Sequence, residues 1–269
     1  MTRTTAGAPP SPAHTCDTGR LTLCRDGAIV TLTLVRPPVN AIDDAMLSEL
    51  DAALASVAAD ATVALLRISS ALPVFCAGAD LAMVGARLAD AHGAAAMTAT
   101  TRLFHQVYDR LAGMPAVTLA EMEGHALGGG LELALACDLR IASHAARLGL
   151  PEAKVGLLPG AGGTQRLTRL CGPGVAARLI LGGELVDGAE AERLGLVQWS
   201  APAGEVRARA DAVAARIADL SPESLRAAKA CIALAAPVSP EGAAAEIAGI
   251  GALMGEAGTR RRVAAFLQR

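Results

Sequence analysis

The stretch Gly124-His-Ala-Leu-Gly-Gly-Gly-Leu-Glu-Leu-Ala-Leu-Ala-Cys-Asp138 decides how the rest of the chain is interpreted. Three consecutive glycines enter an apolar segment typical of a helix, and Glu132 falls in the first turn of that segment. A second stretch, Leu148-Gly-Leu-Pro-Glu152, places another glutamate directly after a proline turn. An earlier loop, Phe75-Cys-Ala-Gly-Ala-Asp80, ends an apolar run. We expect the central stretch to hold most of an active site and the earlier loop to complete it.

The glycines at 128–130 are compatible with several uses. A phosphate-binding P-loop requires a lysine after its last glycine, and none follows here. A dinucleotide fingerprint that began at Gly160 would need its third glycine at Gln165, and it would follow a proline turn rather than a strand. The N-terminus of a helix offers free N–H groups that could hold an oxyanion. On the glycines alone, an oxyanion site and simple close packing of a helix against a strand are equally compatible.

The two glutamates favour chemistry over packing. Glu132 lies in an otherwise apolar segment, so its carboxylate either faces solvent or is kept for catalysis, because burying it unpaired is costly. Glu152 alone is typical of a carboxylate at the start of a helix. Two carboxylates that enter one half-buried pocket suit general acid/base catalysis.

Composition and charge exclude several classes of partner. The chain has 269 residues, of which 52% are hydrophobic and 19% charged, enough to bury a sizeable core. The formal net charge of -2, without a long block of like charge, predicts no nucleic-acid partner. No uncharged apolar stretch reaches the roughly 18 residues of a membrane span, which predicts no membrane partner.

The six cysteines are scattered without a Cys-x-x-Cys pair, which predicts free thiols in a reducing cytoplasm. Cys76 and Cys137 are expected to be small core residues. The five histidines do not supply the clustered ligands that zinc requires, so we expect no metal site.

Strands and helices alternate along most of the chain. We predict a disordered tail over residues 1–19, an α/β core over 20–200 and a helical C-terminal subdomain over 201–269. A hairpin turns at Asp26-Gly27 between strands at 20–25 and 28–35. Further strands are predicted at 63–68, 117–122, 139–142 and 196–199, and helices at 43–58, 98–112, 165–171, 174–181, 188–194 and 205–218.

Four motifs in this order carry a family resemblance. They are the 75–80 loop, the 124–138 stretch, Leu148-Gly-Leu-Pro-Glu152 and Gly156-Leu-Leu-Pro-Gly-Ala-Gly-Gly-Thr-Gln-Arg-Leu167. Together they resemble the enoyl-CoA hydratase/isomerase (crotonase) family over nearly the whole chain, from about residue 20 onward. The resemblance implies an α/β fold, a crotonase-like spiral of ββα units, with C-terminal helices that build a trimer.

The resemblance also implies an enzyme, an enoyl-CoA hydratase that adds water to a trans-2-enoyl-CoA. The N–H groups of Ala79 and Gly129 would hold the thioester oxygen as an enolate forms. Glu152 would protonate the α-carbon, and Glu132 would orient and deprotonate the attacking water. Isomerase, decarboxylase, hydrolase or pathway-specific hydratase activity stays open, as does a non-catalytic acyl-CoA-binding role.

The implied partners are an acyl-CoA thioester and further copies of the chain, as a trimer or a dimer of trimers. No separate cofactor is implied, since coenzyme A is part of the substrate. The residues implied to bind substrate, mainly through backbone atoms, are Val39, Ala41, Ala77, Ala79, Asp80, Leu81, Gly128, Gly129, Pro151 and Phe266.

The chain departs from the family pattern at a few positions. Glu121 stands where a small residue is usual, and we expect it on a solvated edge. The C-terminal basic residues that help to hold the phosphates of coenzyme A in the family are replaced by a short end, Ala265-Phe-Leu-Gln-Arg269. Asp138 is expected to close a helix or to pair with Arg140 or Arg166.

Overall fold

The computed structural model describes residues 15–234 and 240–268. Residues 1–14 of the predicted tail, and the terminal Arg269, lie outside this range. The end predicted for the tail at residue 19 is wrong, because Thr15–Asp17 form a strand that pairs antiparallel with the next one.

Seven strands form one main sheet in the order β1-β2-β3-β4-β5-β7-β9. The first three strands are antiparallel, and every later pair is parallel. Their bounds are β1 Thr15–Asp17, β2 Leu21–Asp26, β3 Ile29–Leu34, β4 Leu65–Ser70, β5 Val117–Met122, β7 Leu139–Ser143 and β9 Trp199–Ala201.

A second, minor ladder runs beside the main sheet. It contains β6 (Ala126–Leu127), which pairs parallel with β8 (Leu148–Gly149), and isolated bridges extend it on both sides. The bridges join Ile42 to Ala79, Cys76 to Ala126 and Leu148 to Val186. Each turn of the chain thus contributes one long strand to the main sheet and one short segment to the ladder, which confirms the predicted spiral of ββα units.

Helices follow the short segments and complete the C-terminal part. They are α1 Asp44–Ala58, α2 Leu81–Ala89, α3 Gly93–Ala112, α4 Gly129–Leu135, α5 Gly163–Ile180, α6 Gly188–Arg193, α7 Val206–Ala218, α8 Pro222–Leu234, α9 Pro240–Gly255 and α10 Ala257–Leu267, with a 3-10 helix at Glu152–Val155. Among the described residues, none of these helices is long and apolar enough to cross a membrane.

Helix α1 illustrates how the pattern of apolar residues becomes packing. Asp43 caps it by accepting a hydrogen bond from Met46 N at 2.8 Å. Its apolar residues recur every three to four positions and are buried against the main core: Met46, Leu47, Leu50, Leu54 and Val57. Each such side chain contributes about 1.5–3 kcal/mol of hydrophobic stabilisation, so this face holds the helix in place.

One predicted strand differs from the structure, and one predicted helix break agrees with it. The strand predicted at 196–199 begins only at Trp199, because Leu196 N and Val197 N bond back to Ala191 O and both side chains fill the core. The break predicted between the helices at 165–171 and 174–181 is confirmed. Gly172 interrupts α5 with a non-helical backbone at φ 82° and ψ 163°, directly before a proline.

The C-terminal helices pack back onto the spiral in two places. Helix α7 covers the outer face of β4, β5 and β7, where Val206, Ala210 and Val213 contact the strands. Helices α9 and α10 pack on α3 and α2 and form a separate apolar cluster. Its buried members are Val84, Leu88, Met97, Ile250, Met254 and Val263. Ile250 of α9 and Phe266 of α10 border the cavity of the site described below.

Glu121 is not on a solvated edge, contrary to expectation. It is 6% exposed and forms an ion pair with Arg67, which is 4% exposed, between the sheet and α7. Arg67 also bonds the carboxylate of Asp211 on α7. Burial raises the pKa of Glu121, and the positive charge of Arg67 opposes that rise.

Removal of one partner of this pair should destabilise the protein more than removal of both. Glu121→Leu leaves the Arg67 guanidinium buried beside Asp211 alone, and we expect the free energy of unfolding to fall by about 3 kcal/mol. The double variant Arg67→Met/Glu121→Leu should stay close to the wild type. Urea unfolding measures both values, and equal stability of the single variant and the wild type would contradict a structural role for the pair.

Candidate active site

The short ladder leads into helix N-termini, and at three of them an aspartate caps the helix. Asp43, Asp80 and Asp187 begin α1, α2 and α6, and each side chain accepts a hydrogen bond from a backbone N–H in the first turn. At α4 the same position is Gly128, which has no side chain to accept such a bond. The first N–H groups of α4, including that of Gly129, are therefore left without a side-chain cap.

The backbone of segment 77–80 directs the N–H of Ala79 toward this helix end. Ile42 N donates to Gly78 O at 2.8 Å, and Asp80 N donates to Ile42 O at 2.9 Å. Ile42 thus forms backbone hydrogen bonds with the residues on both sides of Ala79. In such parallel pairing the N–H of Ala79 points away from Ile42. The structure thus brings the two N–H groups named in the sequence analysis to one place: a Cβ on Gly129 would lie only 3.3 Å from Ala79 N.

Glycine is required on both sides of this approach. A Cβ on Gly78 would lie 2.8 Å from Leu127 O and 3.1 Å from Gly129 N. A Cβ on Gly130 would lie 2.2 Å from Cys76 O, a distance that no side chain could occupy. Gly130 therefore serves close packing, one of the two alternatives left open by the sequence. Gly129 has an N–H without a side-chain cap, which is compatible with the other alternative, an oxyanion site.

Asn40 anchors the first segment, a role that sequence analysis missed. It is fully buried and adopts a left-handed backbone at φ 52°, which asparagine tolerates better than most residues. Its side-chain amide donates to Ser70 Oγ at 2.8 Å and to Phe75 O at 2.9 Å, and its Oδ1 accepts from Arg36 N at 2.9 Å. The polar atoms of a single side chain thereby tie the loop at 36–40 to the segment at 70–75, behind Ala79.

Asp80 stabilises the loops that support the site. Its Oδ1 caps α2 by accepting from Ala82 N and Met83 N, and its Oδ2 pairs with Arg36 at 2.8 Å. Partial burial raises the pKa of Asp80, but the Arg36 hydrogen bond and the two amides outweigh burial and hold it below the usual range. Asp80 therefore remains ionised and fixes the start of α2.

Glu132 is buried at 2% exposure and points to a cradle of backbone amides. Its Oε1 accepts from Ala161 N and from Gly163 N, both at 2.8 Å. A Cβ on Gly163 would lie 2.7 Å from that same oxygen, so only glycine allows the approach. The glycine-rich segment considered as a dinucleotide motif serves here to hold a carboxylate in a fixed orientation.

Arg166 holds the amide cradle in turn. Its Nη1 donates to Ala161 O at 2.7 Å, and its Nη2 pairs with Asp109 on α3 at 2.5 Å. Gly162 lies against the guanidinium with φ 93°, where a Cβ would meet Nη1 at 2.0 Å. The orientation of Glu132 therefore depends on α3 as well as on its own helix.

Glu152 lies at the start of a short helix and beside the start of α4. It begins the 3-10 helix Glu152–Val155 directly after Pro151, as a helix-start carboxylate does. It is also only partly buried and reaches the start of α4, where a Cβ on Gly128 would lie 2.9 Å from Glu152 Oε1. The second carboxylate thus lies beside the loop that presents Gly129.

One cavity of about 550 Å³ joins these groups. Ala79, Gly129, Glu132 and Glu152 all border it. Of the other residues expected to bind substrate, the cavity is bordered by Ala77, Leu81, Gly128, Pro151 and Phe266, and not by Val39, Ala41 or Asp80. The backbone of Val39 instead accepts from Ala77 N at 3.0 Å, which supports the cavity wall from behind.

Much of the apolar wall comes from residues that sequence analysis did not name individually. They are Val84, Met97, Thr101, Phe104, Leu157, Leu158 and Ile250. Leu157 and Leu158 belong to the fourth motif of the sequence analysis, whereas Ile250 lies on α9, far along the chain from the motifs. No signal in a single sequence links Ile250 to the cavity. Within residues 15–234 and 240–268, no three His, Cys, Asp or Glu side chains are grouped so that they could hold a metal ion.

Asp138 was expected to close a helix or to pair with Arg140 or Arg166, but the structure gives it other partners. Its Oδ2 accepts from Thr118 N at 2.8 Å and from Lys229 Nζ at 2.6 Å, so it ties β5 to α8. Arg140 donates instead to backbone carbonyls at the end of α4, including Cys137 O at 2.6 Å. These carbonyls carry the negative end of the helix dipole, which offsets the burial of the arginine.

Cys76 and Cys137 lie in the core, as expected, and their thiols are unreactive. Cys76 and Cys137 are buried, and burial raises the pKa of each thiol to about 12. Both stay protonated near neutral pH, so neither is a nucleophile. Cys24, Cys76, Cys137, Cys171 and Cys231 are free thiols.

The arrangement combines two kinds of catalytic group in one apolar-walled cavity. Two adjacent backbone N–H groups can stabilise negative charge that develops on a substrate oxygen. Two carboxylates nearby can give and take protons. The site therefore suits reactions in which a carbonyl compound passes through an oxyanion while protons move at neighbouring atoms.

A protein-family model described as Enoyl-CoA hydratase/isomerase matches residues 25–267. The probable enoyl-CoA hydratase echA8 of Mycobacterium tuberculosis is 39% identical over 209 residues, which cover 77% of this chain and 79% of the relative. A probable enoyl-CoA hydratase of Bacillus subtilis is 39% identical over 206 residues, covering 76% and 78%.

Solved structures give the same result. Pseudomonas aeruginosa DspI is 40% identical, with a TM-score of 0.76 over 84% of this chain and 91% of that one. A structure described as an enoyl-CoA hydratase from Geobacillus kaustophilus is 31% identical, with a TM-score of 0.79 over 95% and 96%.

A methyl group at Gly128 should disturb the site beyond ordinary backbone strain. Gly128→Ala combines a positive φ of 51° with contact against Glu152 Oε1, and we expect it to lower the free energy of unfolding by at least about 2 kcal/mol. Gly128→Ala in a Glu152→Ala background is the matched control, since it keeps the backbone strain at φ 51° and ψ -128° and removes the contact; there the change should cost about 1 kcal/mol less. Urea unfolding compares the two, and equal losses would show that the Glu152 contact has no effect.

Proposed function

The chain belongs to the enoyl-CoA hydratase/isomerase family, and from that membership we propose that it is an enoyl-CoA hydratase. The reaction is the addition of water across the 2,3 double bond of a trans-2-enoyl-CoA. The observation that carries the proposal is the meeting of Glu132, Glu152 and the N–H groups of Ala79 and Gly129 around one cavity. Relatives named as hydratases support the same reaction.

The oxyanion hole is the first element of the proposed mechanism. The thioester carbonyl oxygen accepts hydrogen bonds from Ala79 N and Gly129 N. As water adds at the β-carbon, negative charge moves onto that oxygen and forms an enolate, which the two N–H groups stabilise. Donors of this kind contribute on the order of a few kcal/mol each to the transition state.

The glutamates move the protons in the proposed mechanism. Glu132 takes a proton from the water whose oxygen bonds to the β-carbon. Its Oε1 is engaged by Ala161 N and Gly163 N, so the carboxylate is held in a fixed orientation toward the water. Glu152 gives a proton to the α-carbon as the enolate collapses. Exchange with solvent then restores both carboxyl groups, and the net change is the addition of one water.

The apolar wall fits the acyl part of the substrate. Val84, Met97, Phe104, Leu158 and Ile250 offer hydrocarbon surface rather than charge. Phe266 and Ala265 of α10 border the same cavity and close it on the C-terminal side. We propose that the acyl chain lies along this wall while the thioester lies at Ala79 and Gly129.

Loss of either carboxylate should abolish most of the activity without unfolding the chain. Glu132→Gln and Glu152→Gln keep the shape of the side chain but remove its ability to exchange protons. We expect each to lower kcat for hydration of crotonyl-CoA roughly a hundredfold or more. Product formation is followed by chromatography, and urea unfolding checks that both variants fold.

Glu123→Gln is the matched control for these variants. Glu123 is an exposed glutamate that contacts Gly204 N at 2.7 Å and does not border the cavity, so its loss should leave kcat unchanged. Full activity in both Glu132→Gln and Glu152→Gln would exclude the proposed mechanism. Conversion of a 3-enoyl-CoA to its 2-enoyl isomer, without hydration of crotonyl-CoA, would instead assign the protein as an isomerase.

We further propose that the chain assembles into a trimer or a dimer of trimers. Large apolar side chains remain exposed in the single chain, among them Leu181 at 80% and Ile232 at 72%. Association would remove such side chains from water, which is favourable by about 25 cal/mol for each Å² buried.

Light scattering coupled to size-exclusion chromatography tests this assembly. The expected mass is three or six times the chain mass of 27.1 kDa. Ile232→Glu should weaken the association, because a charge on an apolar contact surface must be desolvated. A monomeric wild type at micromolar concentration would exclude the proposal.

A further inference from the structure

The glycines at 128–130 have no side chains to fix their own position. Glycine has the greatest backbone freedom of any residue, so neighbouring groups must hold such a run in place. Two backbone bonds hold Gly128: its N–H donates to Gly149 O at 3.0 Å, and its carbonyl accepts from Glu132 N at 3.0 Å. Gly129 carries the proposed oxyanion donor, and a side chain from another helix bonds its carbonyl.

Tyr108 supplies this further anchor. It lies on α3, is fully buried, and its hydroxyl donates to Gly129 O at 2.8 Å. The ring is fixed by an edge-to-face contact with Phe104, with centroids 5.6 Å apart and planes at 81°. Burial raises the pKa of Tyr108 well above its usual value, so the hydroxyl keeps its proton and remains a donor.

We propose that Tyr108 is a positioning residue for the oxyanion hole, an inference that rests on the proposed function. Its hydroxyl bonds the carbonyl of the same residue whose N–H would bind the substrate oxygen, so it fixes Gly129 against the segment at Ala79. Tyr108 does not border the cavity and therefore acts through Gly129 rather than by contact with substrate.

The role predicts a particular kinetic pattern. A small displacement of the Gly129 N–H weakens its bond to the charged enolate more than its bond to the neutral thioester. Removal of the hydroxyl should therefore lower kcat while KM stays nearly constant. A tyrosine that only filled the core would affect stability and leave kcat unchanged.

The first test is Tyr108→Phe, which removes the hydroxyl and keeps the ring. We expect kcat for crotonyl-CoA hydration to fall on the order of tenfold, with KM unchanged. Thr118→Val is the matched control. It removes another fully buried hydroxyl, which bonds Asp138 at 3.0 Å away from the cavity, and should leave kcat unchanged. A wild-type kcat in Tyr108→Phe would overturn the inference.

The second test keeps the native fold and does not require turnover. Tyr108 is the single tyrosine of the chain, so biosynthetic incorporation of 3-fluorotyrosine labels this position alone. Acetoacetyl-CoA, a 3-ketoacyl thioester that can bind as its enolate, places negative charge in the oxyanion hole. We expect the ¹⁹F resonance to shift on its addition, and the shift to be larger than with saturated butyryl-CoA.

The two tests separate the inference from the proposed function. If the wild type does not hydrate crotonyl-CoA, the hydratase proposal fails, while the ¹⁹F response to acetoacetyl-CoA still decides the role of Tyr108. If the wild type is active and the ¹⁹F resonance responds equally to both thioesters, the hydratase proposal stands and the positioning role is overturned.

Discussion

The approach of segment 77–80 to the N-terminus of α4 is the contact on which the site depends. It brings Ala79 N and Gly129 N together, although they belong to different turns of the spiral. The contact depends on Gly78 and Gly130, where a Cβ would clash with backbone atoms, and a Cβ on Gly129 would also be tightly placed. Since helices α1, α2 and α6 are capped by aspartate and α4 by glycine, the same architecture that closes three helix ends leaves this one open. The glycine cap thus leaves the first N–H groups of α4 without a side-chain acceptor at a helix end that borders the cavity.

Charge inside the protein is compensated locally, and this sets what each charged group can do. Glu132 is buried against two amides of a loop that Arg166 holds to α3, so its carboxylate is fixed and yet borders the cavity. The Arg67–Glu121 pair lies between the sheet and α7, and it joins layers rather than lining the cavity. Buried carboxylates are costly in both places, and hydrogen bonds or an opposite charge offset that cost. The two carboxylates differ in that Glu132 borders the cavity and Glu121 does not.

Local pattern was sufficient for most elements, and its failures have identifiable causes. The hairpin, α1, β5 and α7 followed from periodicity and turn residues, because each buries one regular face. The start of β9 was misplaced because Leu196 and Val197, although apolar, pack in the core and bond back to Ala191 instead of pairing with a strand. Glu121 was misjudged because a lone glutamate in a strand is usually solvated, and its partner Arg67 lies on another strand. A partner distant along the chain leaves no trace in a window of neighbouring residues.

The sequence by itself determined the spiral α/β fold, the family, and the small set of groups around which the site is built. It did so because four motifs, in their order along the chain, resemble one family, and that resemblance implied both the fold and the site. The residues alone indicated only an α/β core, a helical C-terminal part and two candidate carboxylates. Only the tertiary structure decided how these groups are held: Asn40 behind Ala79, Arg166 behind the Glu132 cradle, and Tyr108 behind Gly129. It also decided which α3 and α9 residues form the apolar wall. Such supporting contacts join residues far apart in the chain, and they exist only once packing has brought their partners within hydrogen-bonding distance.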